Sequence, residues 1–217
     1  MLRSVKNFHL TEIVTRDGYL GHLDRLIFNE MNWHVNYFVV EGGEEFEGKK
    51  IVLSSHYYDG FDWPTGSIKS RVEKTEIEQS PEISQNIPKA KISEKQLAKR
   101  FGWEHYDKRN HMFIGIINGQ NKKHPHIERK GNPGEMTSTN ELFGYEVRSL
   151  KQKLGYIDDL AVDEGDLVIK YIIAKPYPQI SERRLLISTD WVKTISWLRK
   201  MVFLTIPADS IVESSML

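Results

Sequence analysis

An internal duplication constrains the fold of this 217-residue chain more than any other feature. Residues 4–81 align with residues 138–215 at a constant offset of 134, with no gap and twelve identical pairs. The clearest stretches are LGHLDRLIFNEMNWHVNYFVV (20–40) and LGYIDDLAVDEGDLVIKYIIA (154–174). Because no loop inside the repeated unit has changed length, the alignment predicts two copies of one small domain.

Each copy has the pattern of β-structure. Apolar residues alternate along 33–40 and 167–174, which predicts a strand with one buried face in each copy. Turns are predicted at NEMN (29–32) and DEGD (163–166), since Asn, Asp and Gly tolerate positive φ. Several short strands and a short terminal helix near 74–79 suggest a small closed barrel, which would leave no open sheet edge. The predicted buried face contains Trp33, Val35, Tyr37 and Val39, and in the second copy Leu167, Ile169, Tyr171 and Ile173.

The duplication predicts two domains, at 1–81 and 138–217, joined by a connector at 82–137. Within the connector, Ser93 and Gln96 form a capping box for a short helix near 94–102. The segment 118–135 is rich in Gly, Pro and Lys, which is typical of an exposed loop. We therefore expect a mainly β protein with two small barrels, each with a terminal helix, and a partly helical linker.

Composition excludes several classes of chemistry. The chain has no cysteine, so disulfides, thiolate catalysis and Cys-based metal sites are ruled out. Basic and acidic residues number 30 each, so no overall field draws the protein to nucleic acid or to an anionic membrane, and such binding would have to be local. No apolar leader region or long apolar run is present, and we expect a cytoplasmic protein.

These residues resemble the PRC-barrel family, which includes the barrel of the photosynthetic reaction-centre H subunit and the C-terminal domain of a ribosome-maturation factor. The first copy carries the resemblance in DGYLGHLD (17–24), WHVNYFVV (33–40), KKIVLSS (49–55), Trp63 and IEQSP (77–81). The second carries it in KLGYIDD (153–159), VIKYIIA (168–174), RRLLIST (183–189) and Trp197. The second copy departs from the pattern at Lys175, Pro176 and Pro178, so we expect its outer hairpin to differ in shape.

The resemblance implies two PRC-type barrels and no shared catalytic motif, and a fold alone does not specify an activity. We expect a non-enzymatic scaffold that binds a partner protein, with a homodimer as a further expectation. No catalytic, cofactor or metal residue is predicted. Eight repeat-equivalent residues are predicted to have structural roles: Gly21, Asp24, Tyr37, Trp63, Gly155, Asp158, Tyr171 and Trp197.

Two acidic or histidine-rich segments leave metal binding as an alternative. Calcium could be bound by Asp158, Asp159, Asp163, Glu164 and Asp166, but the spacing D-E-G-D lacks the twelve-residue loop with a terminal Glu, and a solvated turn is favoured. His124 and His126 could bind a transition metal, although the segment offers no third ligand.

The basic connector leaves a second function open. Residues 82–137 carry 11 basic and 6 acidic side chains, unlike either copy. Trp103 could stack on a base while lysines and arginines bind phosphates, as an RNA-associated or ribosome-assembly role would require. The connector residues predicted to contact a partner are Trp103, Lys122, Lys123, Arg129 and Lys130.

Overall fold

The computed structural model describes residues 1–80, 82–83, 92–93, 114–117, 135–149, 152–177, 183–208, 211 and 213–214. These residues form two compact units. The first unit contains the first repeat from Asn7 and ends at Ser138. The second unit contains Met1–Lys6 together with the chain from Thr139 onwards. Both are mainly β, as predicted from the sequence.

Short helices join the strands of both units. The α-helices are α1 (Val5–Phe8), α2 (Lys74–Glu78) and α3 (Thr139–Leu142), and 3₁₀ helices span Glu44–Phe46, Ser55–Tyr57 and Thr189–Trp191. The strands are β1 (Leu2–Ser4), β2 (Glu12–Thr15), β3 (Gly18–Asn29), β4 (Val35–Gly42), β5 (Lys50–Ser54), β6 (Tyr58–Asp62), β7 (Ser67–Ser70), β8 (Glu82–Ile83), β9 (Ile92–Ser93), β10 (Ile114–Ile117), β11 (Glu135–Ser138), β12 (Glu146–Ser149), β13 (Gln152–Asp163), β14 (Ile169–Pro176), β15 (Arg184–Ser188), β16 (Val192–Ser196), β17 (Met201–Leu204) and β18 (Glu213–Ser214).

The two sheets share one topology. In the first unit the strand order is β6-β7-β2-β3-β4-β5-β10-β8, and in the second it is β16-β17-β12-β13-β14-β15-β18. The six strands from β6 to β5 correspond one by one to those from β16 to β15 at the offset of 134. The same core sheet is therefore built twice, and only its extension beyond β5 or β15 differs.

The long strands β3 and β13 have irregularities at identical repeat positions. Pairing of β3 with β4 shifts between Leu23 and Arg25, and pairing of β13 with β14 shifts between Ile157 and Asp159. A second shift occurs between residues 27 and 28 in β3 and between 161 and 162 in β13. Such bulges bend a strand and increase its twist, so each twelve-residue strand can pair with different neighbours at its two ends.

The short strand at the start of each repeat pairs with the long strand of the other repeat. β1 pairs antiparallel with β13, with Leu2 opposite Asp163. β11 pairs antiparallel with β3, with Met136 opposite Asn29. These two pairings are the same at the offset of 134, so the duplicated segments are exchanged reciprocally. The exchange explains why the compact units divide after Lys6 and after Ser138.

The expectation of closed barrels is not met. Within the described residues, neither sheet pairs its last strand with its first, so both sheets are open. The outer edge of β5 pairs with β10, and that of β15 pairs with β18, so neighbouring segments protect these edges in place of closure.

Burial of the central strand matches the prediction in the first copy and only partly in the second. Trp33, Val35, Tyr37 and Val39 are all buried, and so are Phe38 and Val40 on the opposite face. In the second copy Leu167 and Ile169 are buried, but Tyr171 and Ile173 are half-exposed while Ile172 and Ala174 are buried. The second sheet extends beyond β15 by only the two-residue β18, which leaves β14 closer to the edge than β4.

The predicted hairpin turns are present, but their positive φ angles lie elsewhere. The left-handed residues are Trp33 (φ 58°) and Leu167 (φ 55°), which directly follow the polar turn residues. Both are buried, and Trp33 stacks on Phe28 with ring centroids 5.2 Å apart. Packing of the apolar side chain therefore offsets a backbone conformation that disfavours a residue with a Cβ atom.

The helix predicted near 74–79 is confirmed as α2, where Glu73 and Glu76 form a capping box. In the second copy, Glu213–Ser214 is a strand on β15, so the predicted terminal helix does not extend there. The helix predicted near 94–102 lies outside the described residues. The structure contains no helix, in the parts it describes, that is long and apolar enough to cross a membrane.

Candidate functional site

The glycines shared by both repeats lie where two backbones approach closely. A Cβ atom on Gly21 would come within 2.1 Å of the Glu41 carbonyl oxygen, and one on Gly155 within 1.9 Å of the Lys175 carbonyl oxygen. No side chain fits at such distances without moving the backbone. Gly21 and Gly155 therefore allow the close approach of β3 to β4 and of β13 to β14, which is a structural role.

The shared aspartates occupy the first bulge itself. Asp24 and Asp158 are the residues left without a cross-strand partner by the register shifts. Asp24 forms ion pairs with Arg25 at 2.7 Å and with Lys50 at 3.6 Å. Asp158 pairs with Arg184, the repeat equivalent of Lys50, at 3.1 Å. In both copies the bulge carboxylate thus pairs with a cation on β5 or β15, one strand beyond its direct neighbour β4 or β14.

Asp158 has a larger set of cations than Asp24. Besides Arg184, it contacts the Lys6 ammonium at 2.8 Å and the Lys175 ammonium at 3.1 Å. Partial burial opposes ionisation of this carboxyl and by itself would raise its pKa. The pKa is nevertheless lowered from 3.8 to about 2, because the carboxylate accepts hydrogen bonds from Lys6 and Lys175, is attracted by the charge of Lys6 and accepts a hydrogen bond from Arg184. Asp158 is therefore a permanently ionised anchor and unsuited to proton transfer near neutral pH.

A carboxylate that is shared by the two copies also holds each exchanged strand. Glu164 accepts a hydrogen bond from the Arg3 side chain on β1 at 2.6 Å, and its repeat equivalent Glu30 accepts one from the Thr137 hydroxyl on β11 at 2.6 Å. In the second unit the Asp159 carboxylate also accepts hydrogen bonds from the Ser4 hydroxyl and from the Lys6 backbone N–H. The identical pair Glu30 and Glu164 is thus explained by strand exchange.

Two carboxylates of the acidic turn 163–166 accept hydrogen bonds from backbone N–H groups in and just after the turn. Asp163 accepts the Gly165 N–H at 2.8 Å, and Asp166 accepts the Val168 N–H at 3.0 Å. Asn29 and Asn32 make the equivalent bonds in the first copy, to the N–H groups of residues 31 and 34. In the part of the chain that the structure describes, no group of three or more His, Asp or Glu residues could hold a metal ion.

The shared aromatic residues have unequal environments. Tyr37 is buried, whereas Tyr171 is half-exposed. Trp63 is 54 % exposed, whereas Trp197 is half-buried against Tyr145, with ring centroids 5.4 Å apart. The two tryptophans begin equivalent turns, at residues 63–66 between β6 and β7 and at residues 197–200 between β16 and β17. We call these turns the first tip and the second tip.

Both tips present large apolar side chains to solvent. At the first tip, Trp63 packs edge-on against Phe61 at 5.3 Å, and Phe61 packs in the same manner against the buried Phe8 at 6.3 Å. At the second tip, Leu198 is 72 % exposed. Trp63 is thus supported by Phe61 and remains more than half exposed, which suits an anchor residue of a protein interface.

Two further features were not predicted from the sequence. Leu10 is 66 % exposed and left-handed (φ 67°), although its repeat equivalent is a glycine, Gly144 (φ 80°). The Lys153 ammonium lies 4.3 Å from the ring centroids of both Tyr156 and Tyr177. A positive φ can be recognised in a sequence only at Gly or Asn, and a cation–π contact depends on rotamers, so neither feature has a sequence signal.

Lys153 is the side chain whose surroundings most resemble those of a reactive group. Its hydrogen bond to the Tyr156 hydroxyl raises its pKa, and the Glu146 carboxylate at 3.2 Å acts in the same direction. A nucleophilic lysine needs the opposite shift, since only the neutral amine attacks. The arrangement favours a fixed cation over a catalytic amine.

The predicted connector residues Trp103, Lys122, Lys123, Arg129 and Lys130 lie outside the described residues, as do His124 and His126. No family model matches this chain. None of the curated proteins matches it either.

Proposed function

We propose that this protein is a non-enzymatic scaffold of the PRC-barrel type, which binds a partner protein through the first tip. The observation that carries the proposal is Trp63, which is 54 % exposed at the end of a hairpin and supported from behind by Phe61. Tryptophan is enriched among residues that dominate interface energetics, because it buries a large rigid surface at low entropic cost.

Leu10 supports the same proposal. A leucine at positive φ costs about 1 kcal/mol or more relative to glycine, and at 66 % exposure it recovers little of this by burial in its own unit. Gly144 occupies the equivalent position without this cost. Retention of an exposed leucine is explained if a partner covers it.

The shared residues support a scaffold over an enzyme. Gly21, Gly155, Asp24 and Asp158 act on backbone geometry and ion pairing, and Asp158 with a pKa of about 2 is not poised for acid–base work. The PRC-type assignment itself rests on the sequence motifs. A cytoplasmic location and a homodimer belong to the proposal on the same sequence grounds.

The test compares the full-length protein with its Trp63→Ala variant as baits in an extract of the source cells, read by quantitative mass spectrometry. Truncation of an interface anchor costs about 2 kcal/mol or more, so we expect at least one protein whose capture falls about 30-fold. Tyr177→Ala is the matched control, because it removes a 57 % exposed aromatic side chain from the other unit. Capture that is identical for the wild-type and Trp63→Ala proteins contradicts the proposal.

A further inference from the structure

The hairpin β16–β17 of the second unit carries uncompensated positive charge. Residues 192–204 include Lys193, Arg199 and Lys200 and no acidic residue. All three side chains are exposed. None of them forms an ion pair with another described residue, whereas Lys153 and Lys170 of the same unit do.

Apolar side chains lie among these cations. Leu198 at the second tip is 72 % exposed, and Trp197, Met201 and Phe203 are each half-exposed. Lys200 directly precedes β17 in a left-handed conformation (φ 52°), at the position where the first unit has Gly66 (φ 70°). A lysine is less favourable than a glycine in this conformation, so its presence there needs a reason outside the fold of the turn.

The equivalent hairpin β6–β7 also exposes an apolar residue, Trp63, but its charges are balanced. Asp59 stands where the second unit has Lys193. Asp62 pairs with Lys69 at 3.0 Å, and Asp59 lies 3.9 Å from Arg71. Because the fold is the same in both units, the fold of the hairpin does not require the positive charge of β16–β17.

A hairpin tip that combines an exposed Leu and a half-exposed Trp with cations suits the interface of an anionic bilayer. The apolar side chains can enter the acyl boundary, aromatic rings favour the headgroup level, and Lys and Arg side chains reach the lipid phosphates. A protein partner would need a pocket shaped to Leu198, whereas a fluid bilayer admits an exposed leucine without one. Charge complementarity between the three cations and anionic headgroups therefore favours the lipid surface.

We propose that the hairpin β16–β17 attaches this protein to anionic lipid membranes, with Leu198 inserted and Lys193, Arg199 and Lys200 bound at the headgroups. This attachment is additional to the proposed binding of a protein at the first tip and does not depend on it. Together the two surfaces would hold a protein partner next to a membrane.

The test is co-sedimentation of the full-length protein with vesicles of equal parts phosphatidylglycerol and phosphatidylcholine, and with vesicles of phosphatidylcholine alone. We expect partitioning onto the anionic vesicles only, decreasing as salt is raised. Each cation near such a surface contributes about fivefold, so Lys193→Gln, Arg199→Gln and Lys200→Gln combined should lower the partition coefficient about 100-fold. Leu198→Ser should lower it about tenfold or more.

The control removes three charges from the first unit by Lys49→Gln, Lys69→Gln and Arg71→Gln combined, and should retain nearly all vesicle binding. Since the chain has no cysteine, Leu198→Cys also allows a polarity-sensitive dye to be attached at the tip alone, with an expected blue shift on anionic vesicles. The proposal is overturned by absence of partitioning at low salt, by an equal loss in the control, or by an unchanged dye spectrum in the sedimented protein. Binding to soluble poly-glutamate without vesicle binding would assign the patch to an acidic protein instead, and would also overturn it.

Discussion

Replacing Asp158 by Asn should destabilise the second unit by an amount that depends on pH. The carboxylate lies 2.8 Å from Lys6, 3.1 Å from Lys175 and 3.1 Å from Arg184, and its side chain is 18 % exposed. A pKa lowered from 3.8 to about 2 corresponds to about 2.5 kcal/mol at neutral pH if fully transmitted to folding. Screening of the more exposed lysines reduces this, so we expect about 1–2 kcal/mol.

The sign of the pH dependence follows from the direction of the shift. Because the folded state holds Asp158 ionised more strongly than the unfolded state does, its contribution is complete above about pH 5 and is lost as the pH falls through 4 towards 2. The wild-type protein should therefore lose more stability than Asp158→Asn over this window. Above pH 5 the difference between the two proteins should be constant.

Hydrogen exchange of residues 152–176 as a function of pH measures this difference, since exchange reports the opening free energy of a segment. Asp24→Asn, followed in residues 18–42, is the matched variant at the equivalent bulge. If wild-type and Asp158→Asn proteins lose protection equally between pH 5 and pH 3, the ion pairs of Asp158 do not stabilise the fold and the reasoning is refuted.

Five other substitutions test the repeat geometry, the first four by urea unfolding and the last by amide exchange. Gly155→Ala and Gly21→Ala should each cost about 3 kcal/mol or more, because the backbone must shift to admit the Cβ atom; a cost below 1 kcal/mol would contradict the close approach. Leu10→Gly should cost nothing or stabilise by up to about 1 kcal/mol, while Gly144→Leu should destabilise by about 1 kcal/mol; the reverse order would contradict the left-handed assignment. Glu164→Gln should weaken the β1–β13 pairing by about 1 kcal/mol, seen as faster amide exchange in residues 161–163; unchanged exchange would mean that Glu164 does not hold β1.

Much of the fold could be predicted from the sequence because the repeat fixes which residues are equivalent. The ungapped offset predicted that every strand of one copy has a counterpart, and β2 to β7 do correspond to β12 to β17. Alternation along residues 33–40 predicted the buried face of β4. The helix near 74–79 was also predicted, although its Glu73–Glu76 capping box was seen only in the structure.

The exchange of β1 and β11 could not be predicted, because the local sequence pattern of each strand fits the edge of β3 as well as the edge of β13. Which edge it joins depends on the path of the chain. The left-handed backbone of Leu10 and Lys200 could not be predicted either. It is imposed by turns in which the other copy has a glycine. The exposure of Trp63 was also missed, since a large aromatic residue is usually packed in a core.

Engineered disulfides test the reciprocal exchange of strands directly, because the chain has no cysteine of its own. Leu2→Cys combined with Asp163→Cys places thiols on opposed residues of β1 and β13, whereas Leu2→Cys combined with Asn29→Cys would be opposed only if β1 joined its own repeat. Mild oxidation followed by non-reducing electrophoresis and peptide mapping reads the result. We expect rapid, complete and intramolecular cross-linking of residues 2 and 163, and no cross-linking of residues 2 and 29. Cross-linking of residues 2 and 29 without that of residues 2 and 163 would contradict the exchange.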